Sequence, residues 1–113
     1  MIDAYGRSGF RFGGMSHRGS ILILPSGIRS WDVTSAADVK RSDFDPVFRD
    51  EIQVEFLLVG TGRELVVLPD RLRTRFREAG ISLDAMQTGP AARTYNVLLA
   101  ENRRVGAALI AVD

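Results

Sequence analysis

Short apolar or alternating runs, separated by glycine and proline turn signals, divide the chain into strands. They predict seven strands, at Phe10–Phe12, Ile21–Leu24, Ile28–Val33, Val54–Val59, Leu65–Val67, Ile81–Met86 and Val105–Val112. Pro25-Ser26-Gly27 separates the second run from the alternating third. We therefore expect Ile21–Leu24 and Ile28–Val33 to pair as a hairpin.

Helical periodicity predicts two helices in the second half of the chain. The first runs from about Pro69 to Ala79, with Leu72, Phe76 and Ala79 on one face and Gly80 at its C-terminal end. The second runs from Gly89 to about Ala100. Thr88 is the predicted N-cap, and Pro90 lies in the first turn, where a missing N–H is tolerated. The polar segment from Ser35 to Asp50 is expected to be a loop with one or two helical turns.

The order of these elements predicts the fold class. Strand, helix, strand, helix and strand follow one another in the second half, which implies parallel pairing with helices packed on the sheet. The first half adds antiparallel strands. We therefore expect residues 1–113 to form a single α/β domain with a mixed sheet and an N-terminal β-hairpin.

Composition excludes several classes of function. The chain has 113 residues, 45% of them hydrophobic, so it can bury a core. It has no cysteine, which excludes disulfides, thiolate metal ligands and a cysteine nucleophile. Fifteen basic and 14 acidic residues leave a net charge of +1, which gives no indication of nucleic-acid binding. A lone histidine, His17, is weak evidence for metal or acid–base chemistry.

No apolar run approaches the roughly 18 residues that a membrane span requires. The first residues, Met1 to Tyr5, lack the charged and apolar regions of a signal peptide, and they are too short and too mixed for a mitochondrial presequence. From these observations we expect a cytoplasmic protein. We also expect the protein to be a monomer or a weak dimer.

Five spaced motifs point to a known family. They are Trp31, Leu57–Gly62, Met86–Thr88, Ala91–Leu98 and Glu101–Val105. In this order they resemble the small α/β domain-of-unknown-function family that includes mitochondrial NADH:ubiquinone oxidoreductase complex assembly factor 3 and the adipogenesis-associated domain-containing protein. The resemblance covers essentially the whole chain.

That resemblance carries expectations of its own. It implies a three-layer α/β fold with a mixed, mainly five-stranded sheet. It also implies that the partner is another protein, such as an assembly factor or a respiratory complex subunit. It implies no established enzymatic activity, and we expect neither a cofactor nor a metal.

Gly60-Thr61-Gly62 is the first candidate binding element, because it follows a predicted buried strand. A dinucleotide fingerprint would need a third glycine at position 65, which is Leu65, and a helix directly after the loop. No Walker lysine follows Gly62 either. Two interpretations stay open: the glycines allow a tight, closely packed turn, or their N–H groups line a small anion pocket.

Thr88, Arg93 and Asn96 form the second candidate element. Arg93 lies within the first two turns of the predicted helix, where a cation opposes the helix dipole. A guanidinium beside a helix N-terminus would suit an anion or a partner's carboxylate. Arg93 and Asn96 share a helix face, so these two side chains could act together. The simpler alternative is a capping threonine and a surface arginine bonded to a loop carbonyl or a carboxylate. If the strands are parallel, Gly60 and Thr88 lie at the same sheet edge.

The remaining candidates favour structure over chemistry. Tyr95 lies on an apolar stripe and is expected in the core. Trp31 is either a core anchor or an interface anchor. The first helix is locally basic, and it would steer an acidic partner through Arg71, Arg73, Arg75 and Arg77.

We therefore predict a non-enzymatic protein-binding or assembly-factor-like module. An exposed apolar patch around Val97 or Trp31 would favour this interpretation. The alternative is a small-molecule or anion-binding domain, or a cryptic enzyme, whose pocket lies at Gly60–Gly62 and the Thr88 helix N-terminus, with Arg93 and Asn96 beside it.

Overall fold

Two sheets and three α-helices make up the computed structural model, which describes residues 1–113. The strands are β1 (Ile2–Gly6), β2 (Gly9–Phe12), β3 (Met15–Arg18), β4 (Ile21–Leu24), β5 (Gly27–Ser30), β6 (Phe56–Gly60), β7 (Ser82–Met86) and β8 (Val105–Leu109). The helices are α1 (Asp45–Arg49), α2 (Asp70–Glu78) and α3 (Thr88–Ala100), with short 3-10 helices at Ala36–Asp38 and Arg41–Phe44.

The main sheet has five strands in the order β5-β4-β8-β6-β7. Strand β6 is parallel to both β7 and β8, whereas β4 is antiparallel to β8 and to β5. The predicted mixed five-stranded sheet and the β4–β5 hairpin are thus confirmed. The hairpin ends at Ser30 instead of Val33, because Trp31 turns into the core and packs edge-on against Phe44.

A separate three-stranded antiparallel sheet, β1-β2-β3, precedes the main sheet. The sequence predicted only the middle strand and an N-terminal hairpin, so the observed meander is larger than expected. The flanking strands were missed because they carry almost no apolar pattern. In β1 only Ile2 is buried, and β3 has no buried residue.

The main sheet lies between two hydrophobic clusters, which gives the domain three layers. Successive residues of a strand point to opposite faces. Leu57 and Val59 therefore pack with α2 on one side, while Leu58 packs with α3 and the N-terminal sheet on the other. This arrangement confirms the three-layer expectation.

Helix α2 follows its prediction closely. Leu72 and Phe76 are fully covered, and Ala79 packs against the same cluster. Gly80 has φ +74°, the left-handed conformation in which glycine commonly ends a helix. Its N–H donates to Arg77 O, and Ile81 N–H donates to Phe76 O, which closes the last turn.

The predicted strand at Leu65–Val67 is wrong. These residues belong to the loop between β6 and α2 and pair with no strand. Val66 N–H instead donates to Thr61 Oγ1, and only Val66 packs toward the core. The apolar run predicted a short strand, whereas Leu65 and Val67 in fact face outward.

Phe76→Ala tests the assignment of the α2 face. The Phe76 ring has no exposed surface and contacts the rings of Phe44 and Phe48, so its removal leaves a cavity. We expect the free energy of unfolding in urea to fall by roughly 3–5 kcal/mol. Phe76→Leu, which keeps most of the volume, should lose less. A loss below about 1 kcal/mol for the alanine variant would contradict this packing.

Candidate functional site

The carboxyl ends of the three parallel strands meet at one edge of the main sheet. Gly60 at the end of β6 lies opposite Met86 of β7 and Leu109 of β8. Helix α3 begins directly after β7 at the same edge. The predicted proximity of the Gly60 loop and the Thr88 helix start is therefore present.

Gly60 is required by the close approach of α3 to the sheet. A Cβ at this position would lie 2.9 Å from Thr88 Cα and 3.0 Å from Thr88 Oγ1. No side chain fits without displacing the helix. Gly62 is required for a different reason, because its φ of +102° is rarely adopted by other residues. The packing and turn interpretation of these glycines therefore accounts for both of them.

Thr88 is fully buried and connects three parts of the chain. Its hydroxyl donates to Ile110 O at 2.7 Å and accepts from Gly62 N–H at 3.0 Å, while its own N–H donates to Gly62 O. The prediction that Thr88 caps α3 is wrong. Gln87 occupies the N-cap position, without a side-chain capping bond, and Thr88 is the first helical residue.

Thr61 organises the loop that leaves β6. Its hydroxyl donates to Glu64 O at 2.6 Å and accepts from Val66 N–H at 3.2 Å. Its N–H donates to Met86 O, which extends the pairing of β6 with β7 by one residue. Thr61 thus sets the direction in which the segment Leu65–Leu68 departs from the sheet.

Few donors remain free at the start of α3. The N–H of Thr88 is bonded to Gly62 O, that of Ala91 is bonded to Gln87 O, and Pro90 has none. The Gly89 N–H has no acceptor in the chain, but the Tyr5 side chain lies over this residue. A helix N-terminus binds an anion through several free N–H groups, and here one is left.

Arg93 and Asn96 do not act as a pair. Asn96 holds the N-terminal sheet on α3, because its amide donates to Ile2 O and accepts from Ile2 N–H, both at 2.8 Å. Arg93 is exposed and has neither a hydrogen bond nor an ion pair within the chain. The structure thus brings Gly60, Thr61, Gly62 and Thr88 together, and leaves Arg93 and Asn96 outside their network.

An open cleft of about 330 Å³ lies at this edge. Its lining residues are Thr34–Ala37, Thr61–Glu64, Val66 and Ile110–Asp113. The cleft reaches Thr61 and Gly62 of the predicted site but not Thr88, Arg93 or Asn96.

Two shifted pKa values bear on acid–base chemistry. Burial raises the pKa of the Tyr95 hydroxyl. The Arg104 N–H and the Arg103 guanidinium lower the pKa of Glu55, at the other end of β6. Both shifts move the group away from neutral pH, so neither residue is suited to act as a general acid or base.

The remaining candidates have structural positions. Trp31 is buried, and its Nε1–H donates to Asp43 O at 2.9 Å, so it is a core anchor. No three His, Asp or Glu side chains cluster in a way that would hold a metal ion. None of the helices has the length and apolar character needed to cross a bilayer.

Sequence reasoning missed one surface, which lies along the outer edge of β7. Leu65 and Val67 are 61% and 76% exposed there, beside Arg73 of α2. The apolar run Leu65–Val67 stands directly before the basic helix α2, and its apolar character predicted a strand although Leu65 and Val67 are exposed.

Comparison with known proteins places these features in a family. Residues 2–110 match a family model described as a protein of unknown function (DUF498/DUF598). An uncharacterized protein of Rhodobacter capsulatus is 38% identical over 112 residues, covering 96% of this chain and 82% of that protein. NADH dehydrogenase [ubiquinone] 1 alpha subcomplex assembly factor 3 of Homo sapiens is 33% identical over 109 residues, or 96% of this chain. The chain spans only 59% of the human protein's length.

The fold also matches an experimental structure. A crystal structure described as an outer membrane protein from Bartonella henselae superposes with a TM-score of 0.93. Its sequence is 53% identical, and the match covers 99% of this chain and 94% of the other. The three-layer fold described above is therefore shared with a relative of known structure.

A comparison of Thr88→Val with Thr88→Ser separates the contribution of the Thr88 hydroxyl to stability from that of the side-chain shape. Valine removes the hydroxyl and leaves a buried N–H of Gly62 and a buried carbonyl of Ile110 without partners. Each unsatisfied group costs about 1–3 kcal/mol, so we expect a loss of roughly 2–5 kcal/mol in urea unfolding. Serine keeps both bonds and should lose about 1 kcal/mol. Equal losses for the two variants would show that the hydroxyl bonds are not important.

Proposed function

This chain belongs to the DUF498/DUF598 family, and we propose that it is a non-enzymatic protein-binding module with an assembly-factor-like role. The human relative is named as an assembly factor of NADH dehydrogenase, and it supports a role in the assembly of a respiratory complex. That role is extended to this chain by family analogy. The structure supports the protein-binding part independently, as follows.

The observation that carries the proposal is the exposure of apolar side chains on one loop. Leu65 and Val67 stand two residues apart and both face outward. Isolated exposed apolar residues are common, but a pair beside a groove indicates a surface that a partner covers. Of the two residues singled out from the sequence, Val97 on α3 is 56% exposed, whereas Trp31 lies in the core.

Deletion of the gene in the organism that encodes the protein tests the assembly role. We expect less assembled NADH dehydrogenase complex on native gels, and correspondingly lower NADH:ubiquinone activity in membranes. Wild type should restore both. Val67→Glu should not, because a charge would disrupt an apolar contact surface.

Ile28→Glu is the matched control for this experiment. Ile28 is also an exposed apolar residue, but it lies on β5 at the opposite edge of the main sheet. We expect this variant to restore the complex. Normal levels of the complex in the deletion strain would contradict the proposed role.

A second candidate function, the binding of a small anion, has one supporting observation. The Arg93 guanidinium has no acceptor in the chain, although its place in the second turn of α3 opposes the helix dipole. An external carboxylate or anion would compensate that arrangement. The scarcity of free N–H groups at the start of α3 makes this the weaker of the two candidates.

The melting temperature in phosphate or sulfate distinguishes the candidates. If an anion binds at Arg93, either salt raises the melting temperature of wild type but not of Arg93→Ala, because a ligand stabilises the folded state that it occupies. Arg93→Lys should not replace arginine at a bidentate site. We expect equal shifts for wild type and Arg93→Ala, which would exclude Arg93 as the holder of the anion.

A further inference from the structure

Strand β7 forms one end of the main sheet, and its outer edge is unpaired. It neighbours only β6. Ser82 N–H donates to Glu55 O, and Met86 O accepts from Thr61 N–H, so Ser82 and Met86 bond toward β6. Because strand residues alternate, the N–H and C=O groups of Leu83 and Ala85 face the other way, where they have no partner in the chain.

A groove follows this edge. One part of the groove has a volume of about 240 Å³. It lies between the segment Leu65–Leu68 and residues Leu83–Ala85, with Arg73 beside them. The other part has a volume of about 360 Å³ and runs along residues Gly80–Leu83, beside Arg73 and Arg77. Arg73 and Leu83 line both parts, so the groove is continuous along β7. Five strand residues span about 16 Å, enough for a short extended peptide.

The charge of the groove is set by two arginines of α2. Arg73 and Arg77 are exposed and have no ion pair or hydrogen bond in the chain. Their neighbour Arg75 is different, because it bonds to Asp45 at 2.9 Å. Among the groove-lining residues the acidic one is Asp84, which leaves an excess of positive charge.

This charge argues against a second copy of the same chain as the occupant. Pairing of β7 with β7 across a two-fold axis would bring Arg73 and Arg77 of both copies into one interface. Like charges placed opposite each other oppose association. A partner strand that carries carboxylates would instead be attracted by the same two residues.

We propose that the β7 edge binds an extended, acidic segment of the partner protein as a sixth strand of the main sheet. The main chain of that segment would bond to Leu83 and Ala85. Its apolar side chains would contact Leu65 and Val67, and its carboxylates would pair with Arg73 and Arg77. This inference rests on the proposed function, because it specifies where and how the protein partner binds.

Photocrosslinking in the native organism is the first step of the test. The probe is p-benzoylphenylalanine placed at Val67 in the groove, with a matched copy placed at Val97 on α3. Both positions are exposed and apolar, so they differ mainly in location. We expect a crosslink from Val67 to an acidic, extended segment of another protein, identified by mass spectrometry.

The second step uses a synthetic peptide with the sequence of that crosslinked segment. The double variant Arg73→Glu/Arg77→Glu should bind it at least about tenfold more weakly than wild type. Arg71→Glu, which makes half of this charge change on the same helix but outside the groove, should differ from wild type by less than about twofold. On binding, the amide protons of Leu83 and Ala85 should become protected from hydrogen exchange, whereas those of Ser82 and Met86 should change little.

The possible outcomes distinguish failure of the proposed function from failure of the proposed β7 binding surface. Normal levels of the respiratory complex in the deletion strain would overturn the proposed function itself, whereas reduced levels without a crosslink from Val67 would overturn only the β7 surface. A crosslink from Val97 alone would preserve a protein partner and overturn the β7 surface. A crosslink from Val67 to a second copy of this chain, a captured segment without acidic residues, or unchanged exchange at Leu83 and Ala85 would also overturn this inference.

Discussion

The contact between Gly60 and Thr88 determines how the rest of the domain is arranged. Helix α3 approaches the end of β6 so closely that only glycine fits, and the buried Thr88 hydroxyl then bonds to both Gly62 and Ile110. Three chain segments are thereby fixed at one edge of the sheet. The loop that leaves this edge is joined to Thr88 by the N–H of Gly62, and the Thr61 hydroxyl then bonds to Glu64 O and to the N–H of Val66.

The contact between Gly60 and Thr88 also explains why the turn Gly60–Gly62, a candidate anion site from the sequence, has a structural role. A glycine-rich turn after a buried strand, followed by a helix N-terminus, is the usual arrangement of an anion site. Such a site needs free N–H groups, whereas here those of Gly62 and Thr88 are bonded within the chain. The same atoms cannot hold the helix against the sheet and also bind a ligand. Exposed arginines and an unpaired strand edge are found elsewhere, on α2 and β7.

The sequence predicted the elements whose burial follows a clear period. Strands β4, β6 and β8 are apolar runs between turn signals, and the face of α2 repeats at helical spacing, so all four were found. Strand β1 was missed because its pairing rests on main-chain bonds and on the Asn96 contact with Ile2, neither of which leaves an apolar pattern. The bonds of Thr88 could not be predicted, because Gly62 and Ile110 lie more than 20 residues away.

The unpaired edge of β7 raises a problem that the arginines of α2 help to solve. An exposed strand edge invites pairing with any other edge, and proteins commonly limit this with charged residues. Arg73 and Arg77 beside β7 repel a second copy of the same basic surface. The same charges lower the free energy of an acidic strand in that position. In the proposed complex, a single feature would therefore both oppose pairing of two β7 edges and attract a strand of opposite charge.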